Sequence, residues 1–331
     1  MNKKFIIAGV IAIVLIFITL ILIVVFTHAP GQGSIVMNNI EVSNTTNTVE
    51  NVVENKVGVN GLKVEKGEIE YYDLEEGGTI PIPPTFKYVE GEIDTGAVIE
   101  DKYKNQFVWV PIERYEQDYT RFLFDRNGDY DNKELEENLL ESADYNTDYD
   151  DSVRNYGGFY VARYEAGKEG DNLPAVSKDG VMPWTGVSWQ RAKDLAFGMY
   201  EENDYFQSDL INSYAWDSIC QWFRKDESFS VDDSVNYGNY QNGKYGYNVL
   251  LESGSNREWV NNNSYDMAGN AWELTTEYEQ LLISGDLEVI HIGRGGGYWN
   301  NGDEYPISSR TLTDNDGANI AVGFRVVLYL K

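Results

Sequence analysis

The hydrophobic pattern divides the chain sharply. Phe5 to Phe26 is an uncharged stretch of 22 residues dominated by Ile, Val, Leu and Phe. That matches the roughly 20 residues a helix needs to cross the hydrocarbon core. Lys3 and Lys4 precede it, and no Lys or Arg follows until Lys56. This asymmetry predicts a cytoplasmic stub at 1–4, a transmembrane anchor over 5–27 and everything beyond it outside the cell membrane. A cleaved signal peptide is the alternative, but its apolar region runs only about 7–15 residues. Residues 28–61 read as an extracellular spacer. They are rich in Asn, Val, Thr and Glu, lack a helical stripe, and cannot bury enough apolar surface to offset their ordering entropy. Asn44-Thr45-Thr46 matches a glycosylation sequon, which carries no weight by itself.

From Leu62 onward the pattern is that of a folded domain, 62–331. Phe107–Ile112 is an apolar run containing Pro111, which suits a buried strand. Phe159–Glu165, following Gly157-Gly158, is a second. Ser188 is placed to cap a helix whose apolar face is Trp189, Ala192, Leu195, Ala196 and Met199. A second helix is expected over Leu210–Arg224, with Cys220 beside its apolar stripe. Helical periodicity then vanishes. Gly, Asn, Tyr and Ser dominate to Asn263, and short strands return at Val289–Ile292 and Ala321–Tyr329. The pattern predicts an α+β domain with long loops.

Charge and rare residues narrow the chemistry. Of 331 residues, 54 are acidic and 26 basic, giving a net charge of −28. Such a surface opposes nucleic acid, which is not an expected partner. Cys220 is the sole cysteine, so a disulfide framework and a Cys-based zinc site are excluded. With only His28 and His291, so is any cluster of imidazoles. An acidic insertion at about 113–155 holds 14 Asp/Glu against 5 Lys/Arg. Within it Asp125, Asn127, Asp129, Asp131 and Glu136 follow the spacing of a calcium hand. Tyr130 stands where the turn glycine belongs, which favours a solvated acidic loop. The segment Tyr265–Thr275 differs: Asp266 and Glu273 flank a Gly-Asn turn, and carbonyls of Gly269 and Ala271 could face the same point. Two carboxylates plus carbonyls suit calcium rather than zinc or iron. The alternative is that Asp266 caps the turn and Trp272 packs. Arg325 is expected to pair with a buried acid.

Several of these segments together resemble the sulfatase-modifying factor family, which includes formylglycine-generating enzyme and non-enzymatic relatives. The match lies in Phe107-Val108-Trp109-Val110-Pro111, Gly158–Glu165, Val187–Ala192, Asn270-Ala271-Trp272-Glu273, Arg294–Trp299 and Gly323-Phe324-Arg325, in order. The resemblance implies a C-type-lectin-like fold. It also implies structural calcium at Asp266, Gly269, Ala271 and Glu273; a second family site would begin near Asn239 and Tyr240, where its other ligands do not align. The enzyme holds copper with two cysteines a few residues apart. Here those places fall on Asn300 and about Tyr305, so neither copper nor iron is expected. Together with the predicted anchor, the resemblance leads to the expectation of a surface-anchored, lectin-like binding module without catalytic residues. Its ligand face is expected around Tyr298, Trp299, Asn300, Asn301, Asp303, Tyr305, Thr311 and Asn315, toward an extracellular protein or glycan. An oxidoreductase of formylglycine-generating or other type, with an unrecognised active site, is the rival reading. A structural envelope component is a third.

Overall fold

The structure is a computed structural model. It describes residues 61–121, 124, 146–170, 173–283, 286–313 and 319–331. The expected anchor and spacer, the sequon, the calcium-hand-like spacing from Asp125 to Glu136, and Asn315 lie outside the described residues. Among the described residues no helix is long and apolar enough to cross a membrane. The chain divides into Met1–Lys56 and Val57–Lys331, and the described residues belong to the second unit.

Its centre is a six-stranded antiparallel sheet in the order β3 (Phe86–Glu90), β4 (Val98–Asp101), β5 (Gln106–Pro111), β6 (Gly158–Ala162), β14 (Val326–Leu330) and β7 (Phe206–Leu210). Strand alternation explains why the central strands read as unbroken apolar runs. Phe107, Trp109, Tyr160, Ala162, Val326 and Leu328 enter one core. Val108, Val110, Phe159, Val161, Val327 and Tyr329 enter the other. Both faces are buried, so β5 beyond Gln106, β6 and β14 read as apolar.

Helices cover the two faces, and the three longer ones each begin at a side-chain cap. In α3 (Trp189–Phe197), the Ser188 hydroxyl accepts from the Arg191 N–H at 3.2 Å, as the sequence predicts. Ala192, Leu195 and Ala196 of this helix join the first core. In α4 (Ser213–Phe223), Asn212 caps the helix through the Ala215 N–H at 2.7 Å. Its Ile219, Cys220 and Trp222 join the second core. The expected start at Leu210 is corrected, because Leu210 ends β7. Two shorter helices, α1 (Tyr115–Asp118) and α2 (Thr147–Tyr156), complete the set of described helices.

A second sheet runs β12 (Arg310–Leu312), β11 (Asp286–Arg294), β10 (Trp272–Ile283), β13 (Val322–Phe324). β10 and β11 form a long hairpin, and β10 also pairs in parallel with β13. The expected C-terminal strand is split at Arg325, which turns inward between β13 and β14. The hairpins β1 (Glu70–Asp73)–β2 (Thr79–Ile82) and β8 (Val260–Asn261)–β9 (Ser264–Tyr265) are separate two-stranded pairs.

Candidate functional site

Two buried charge clusters fix the loops that carry the motifs. In the first, the Arg325 guanidinium donates Nε to both oxygens of Glu273 at 3.0 and 2.9 Å. It also donates to the carbonyls of Ala162 at 2.9 Å and Tyr265 at 3.0 Å. This answers the expectation of a buried acid for Arg325. Glu165 lies in the same interior. It accepts from the Ala271 N–H at 3.0 Å and the Asn270 amide at 2.6 Å. Asp266 accepts from the Ser253 hydroxyl at 3.0 Å and the Gly254 N–H at 2.6 Å. All four groups are buried. Three carboxylates therefore face one guanidinium without water to screen them. Burial pushes the Asp266 carboxyl up to about 6, and burial with the nearby charges of Asp266 and Glu273 pushes Glu165 well above the carboxylate range.

This donor set, as placed, does not fit a calcium ion. Both oxygens of Glu273 are engaged by Arg325, whose positive charge occupies the place a cation would need. Asp266 is committed to Ser253 and Gly254, and the N–H groups of Ala271 and Gly269 tie the turn to Glu165 at 3.0 Å and to the Gly295 carbonyl at 2.7 Å. Gly269 has φ +73°, and a Cβ there would lie 2.6 Å from the Asn239 carbonyl. Near Asn239, where a second family site would begin, the side-chain oxygen Oδ1 is buried with no donor among the described residues. The Tyr240 hydroxyl donates to the Gly295 carbonyl at 2.7 Å. One orphaned oxygen is not a calcium cage. Among the described residues no group of three or more His, Cys, Asp or Glu is arranged to hold a metal ion.

The second cluster surrounds the glycine run. Asp217 on α4 bridges two arginines, Oδ1 to Arg294 at 2.7 Å and Oδ2 to Arg310 at 3.1 Å. Arg310 Nε donates to both oxygens of Glu277 at 3.0 and 3.1 Å. Sequence reasoning missed this cluster, because its four members lie far apart along the chain. Cys220, one turn beyond Asp217, is fully buried, and burial pushes its thiol up to about 12. It is a packed side chain, not a nucleophile.

Arg294 opens the loop that was expected to face ligand. Gly296 has φ +75°, and a Cβ there would sit 2.4 Å from the Tyr305 carbonyl, so only glycine lets the chain pass. Tyr298 and Trp299 are half-buried and meet edge to face, with ring centroids 4.9 Å apart. Asn300 turns inward: its Oδ1 accepts from the Trp272 indole N–H at 2.8 Å and the Gly297 N–H at 3.1 Å. The Asn301 carbonyl accepts from the Tyr305 N–H at 2.9 Å. Asp303 accepts from the Asn242 amide at 2.8 Å. Tyr305 is 39% exposed and sets its ring against Trp272. Residues 298–305 thus form one braced loop. Thr311 is on β12, registered opposite Gly293, in the sheet rather than in the loop.

A family model described as "Sulfatase-modifying factor enzyme 1-like domain" matches residues 116–330, more than half of the chain. The chain belongs to this family, whose members include enzymes and non-catalytic proteins. Among solved structures, the crystal structure of CarF is 16% identical with a TM-score of 0.41, over 53% of this chain and 87% of that one. Treponema denticola variable protein 1 is 14% identical with a TM-score of 0.31, covering 81% and 93%. PvdO from Pseudomonas aeruginosa is 12% identical with a TM-score of 0.38, covering 80% and 100%. No curated protein matches the chain.

Proposed function

We propose that this chain is a non-catalytic member of the family, a lectin-like recognition module tethered by its N-terminal apolar segment and displayed outside the cell. The observation that supports it most is the fate of the two positions matching the family's copper cysteines. Asn300 braces Trp272 and Gly297, and Tyr305 packs on Trp272. Neither side chain is a thiolate. Cys220 is buried in α4 with its thiol proton held, so it offers no soft ligand to a metal. The same loop presents Tyr298, Trp299 and Tyr305 beside Asn and Asp side chains, a mixture of aromatic faces and amides suited to binding protein or sugar.

The test is incubation of the purified chain with copper(I), oxygen and a cysteine-containing sulfatase peptide, read by mass spectrometry. The cysteine is expected to survive unchanged. Formylglycine production that disappears in Cys220→Ser would overturn the reading. The binding half is tested by presenting the chain to an array of glycans and envelope proteins. Capture that weakens at least fivefold in Tyr298→Ala and Tyr305→Ala supports the loop as the ligand face, and capture that ignores both substitutions removes it.

A further inference from the structure

A second cleft lies away from this loop, and none of residues 298–305 lines it. Its volume is about 610 Å³. The floor is a stacked pair, Tyr164 and Tyr265, with ring centroids 5.2 Å apart and an interplanar angle of 14°. Arg163 supports both rings, with its guanidinium 5.8 and 5.5 Å from the centroids. Arg163 itself is 8% exposed and spends its donors on Glu90, Gln106 and Asn263, so it is scaffold.

The walls carry the reactive charge. Arg257 is 60% exposed and lies 5.5 Å from the Tyr265 ring centroid, with Asp179 as its carboxylate partner. Lys178 and Lys104 point further ammonium groups into the same wall region, each shared with one glutamate. The lining's four cations, Lys104, Arg163, Lys178 and Arg257, are each paired with a carboxylate, namely Glu100, Glu90, Glu169 and Asp179. This even balance differs from that of the chain, in which acidic residues outnumber basic ones by 54 to 26. A locally neutral cleft on so acidic a protein repels an anionic group less than the rest of the surface does. An exposed arginine fork suits a planar carboxylate in particular.

The neighbouring surface indicates what bears that carboxylate. Glu258 and Trp259 follow Arg257 directly. Trp259 underlies Tyr245 and Tyr247, which stack on each other at 5.8 Å and 11°. These two rings are 38% and 49% exposed. An exposed stacked pair beside a polar cleft offers flat apolar faces with hydroxyl rims, the surface on which a sugar ring packs. The amides of Gln106 and Asn263 are held in the cleft wall, their oxygens by Arg163 and their nitrogens by Glu100 and the Gly96 carbonyl.

We infer that the Arg257 cleft is a binding site for an acidic saccharide, with the sugar carboxylate on Arg257 in place of Asp179 and an adjoining sugar ring on the Tyr245–Tyr247 shelf. This site is separate from the loop face and does not depend on it. The probe is tetragalacturonate, titrated calorimetrically into the purified full chain at low salt, with cellotetraose as the uncharged control. Tetragalacturonate is expected to bind saturably and cellotetraose at least fivefold more weakly. Arg257→Gln is expected to weaken the uronate about tenfold, equivalent to about 1.4 kcal/mol. Asp179→Asn releases the fork and is expected to tighten it severalfold, a gain that damage to the fold would not produce. The inference is overturned by no saturable binding at millimolar uronate, by equal binding of the uncharged tetramer, or by an Asp179→Asn variant that binds no tighter than the parent. Formylglycine formation does not involve this cleft, so failure here leaves the copper–peptide test of the proposed function intact.

Discussion

Asp217→Asn tests whether the loops are held by balanced buried charge. The side chain is fully buried and gives one oxygen to Arg294 and the other to Arg310. With Glu277 it neutralises these two guanidinium groups. Asparagine retains one acceptor, but turns an N–H toward the second guanidinium and leaves a positive charge in the core. Removing one partner of a buried pair costs about 3–5 kcal/mol, far more than the pair contributes relative to an apolar substitute. At roughly 2–4 °C per kcal/mol for a domain somewhat smaller than this, the melting temperature should fall by about 10 °C. Urea unfolding of the full chain at pH 7, followed by near-ultraviolet circular dichroism, measures the cost. The charge-balanced double variant Asp217→Asn with Arg294→Gln should recover part of the loss. Burial alone would raise the Glu277 carboxyl, but Arg310 and Arg294 outweigh it and hold that group below the usual range. Its contribution is therefore present above the unfolded carboxylate pKa of about 4.3 and lost only as pH falls toward the lowered folded value. A cost below about 1 kcal/mol, or a double variant no more stable than the single one, refutes the charge-balance argument.

Two pH-dependent predictions have opposite signs. Asp266 has its folded pKa raised to about 6, so the folded state takes up a proton first; its stabilising effect is complete at low pH and is lost as pH rises through 6. Asp266→Asn keeps an acceptor for Ser253 and Gly254 without the charge. It should stabilise the chain at pH 7 by roughly 1–3 kcal/mol and flatten the slope between pH 4 and 7, as read by urea midpoints; a calcium-induced stabilisation of the parent that this variant lacks would instead restore Asp266 as a metal ligand. His291 stacks on Trp189 with centroids 3.7 Å apart, and burial holds its imidazole down to about 4. Its folded state remains neutral while the unfolded chain protonates near pH 6.5, so stability is lost as pH falls from 6.5 toward 4. His291→Phe keeps the stack and should lose less stability over that interval than the parent; parallel pH curves would show that the imidazole is not the titrating group.

The elements legible in the sequence are those whose neighbours are apolar. β5 and β6 are recognisable because both faces of the sheet are buried, and α3 because its cap and stripe are local. β7 and β10 are hidden by charge. Asp209 in Phe206–Leu210 is buried because Lys193 reaches it at 2.6 Å and the Tyr149 hydroxyl donates to it. Glu273 and Glu277 make β10 read as polar, yet Arg325 and Arg310, contributed from 52 and 33 residues away, bury them. The period-2 signal cannot show a neutralising partner supplied by another segment. The same limit explains the two incompatible readings of 266–325. Glu273 taken alone is a metal donor and Arg325 taken alone needs an acid, and only their 2.6 Å contact shows that each satisfies the other. The Arg257 cleft escaped notice for a related reason: its walls come from residues between 90 and 265.

Under the proposed non-catalytic reading, replacing Asn300 alone would not supply a copper site. The Asn300 side-chain oxygen satisfies both the Trp272 indole N–H and the Gly297 N–H, fixing the turn that follows the glycine run. In Asn300→Cys a weakly accepting sulfur takes that position. The two donors then lose a partner in a partly buried setting, at a cost of about 1–3 kcal/mol. The new thiol would also stand alone, because position 305 is a tyrosine packed on Trp272 and Cys220 is sealed inside α4. Copper(I) affinity measured by competition with a chromogenic chelator should therefore remain at the parent level in Asn300→Cys, with a lowered melting temperature. Tight copper binding by this single variant would mean that a second soft ligand is within reach of the loop. The amide at position 300 would then be the last barrier to metal chemistry rather than a replacement for it.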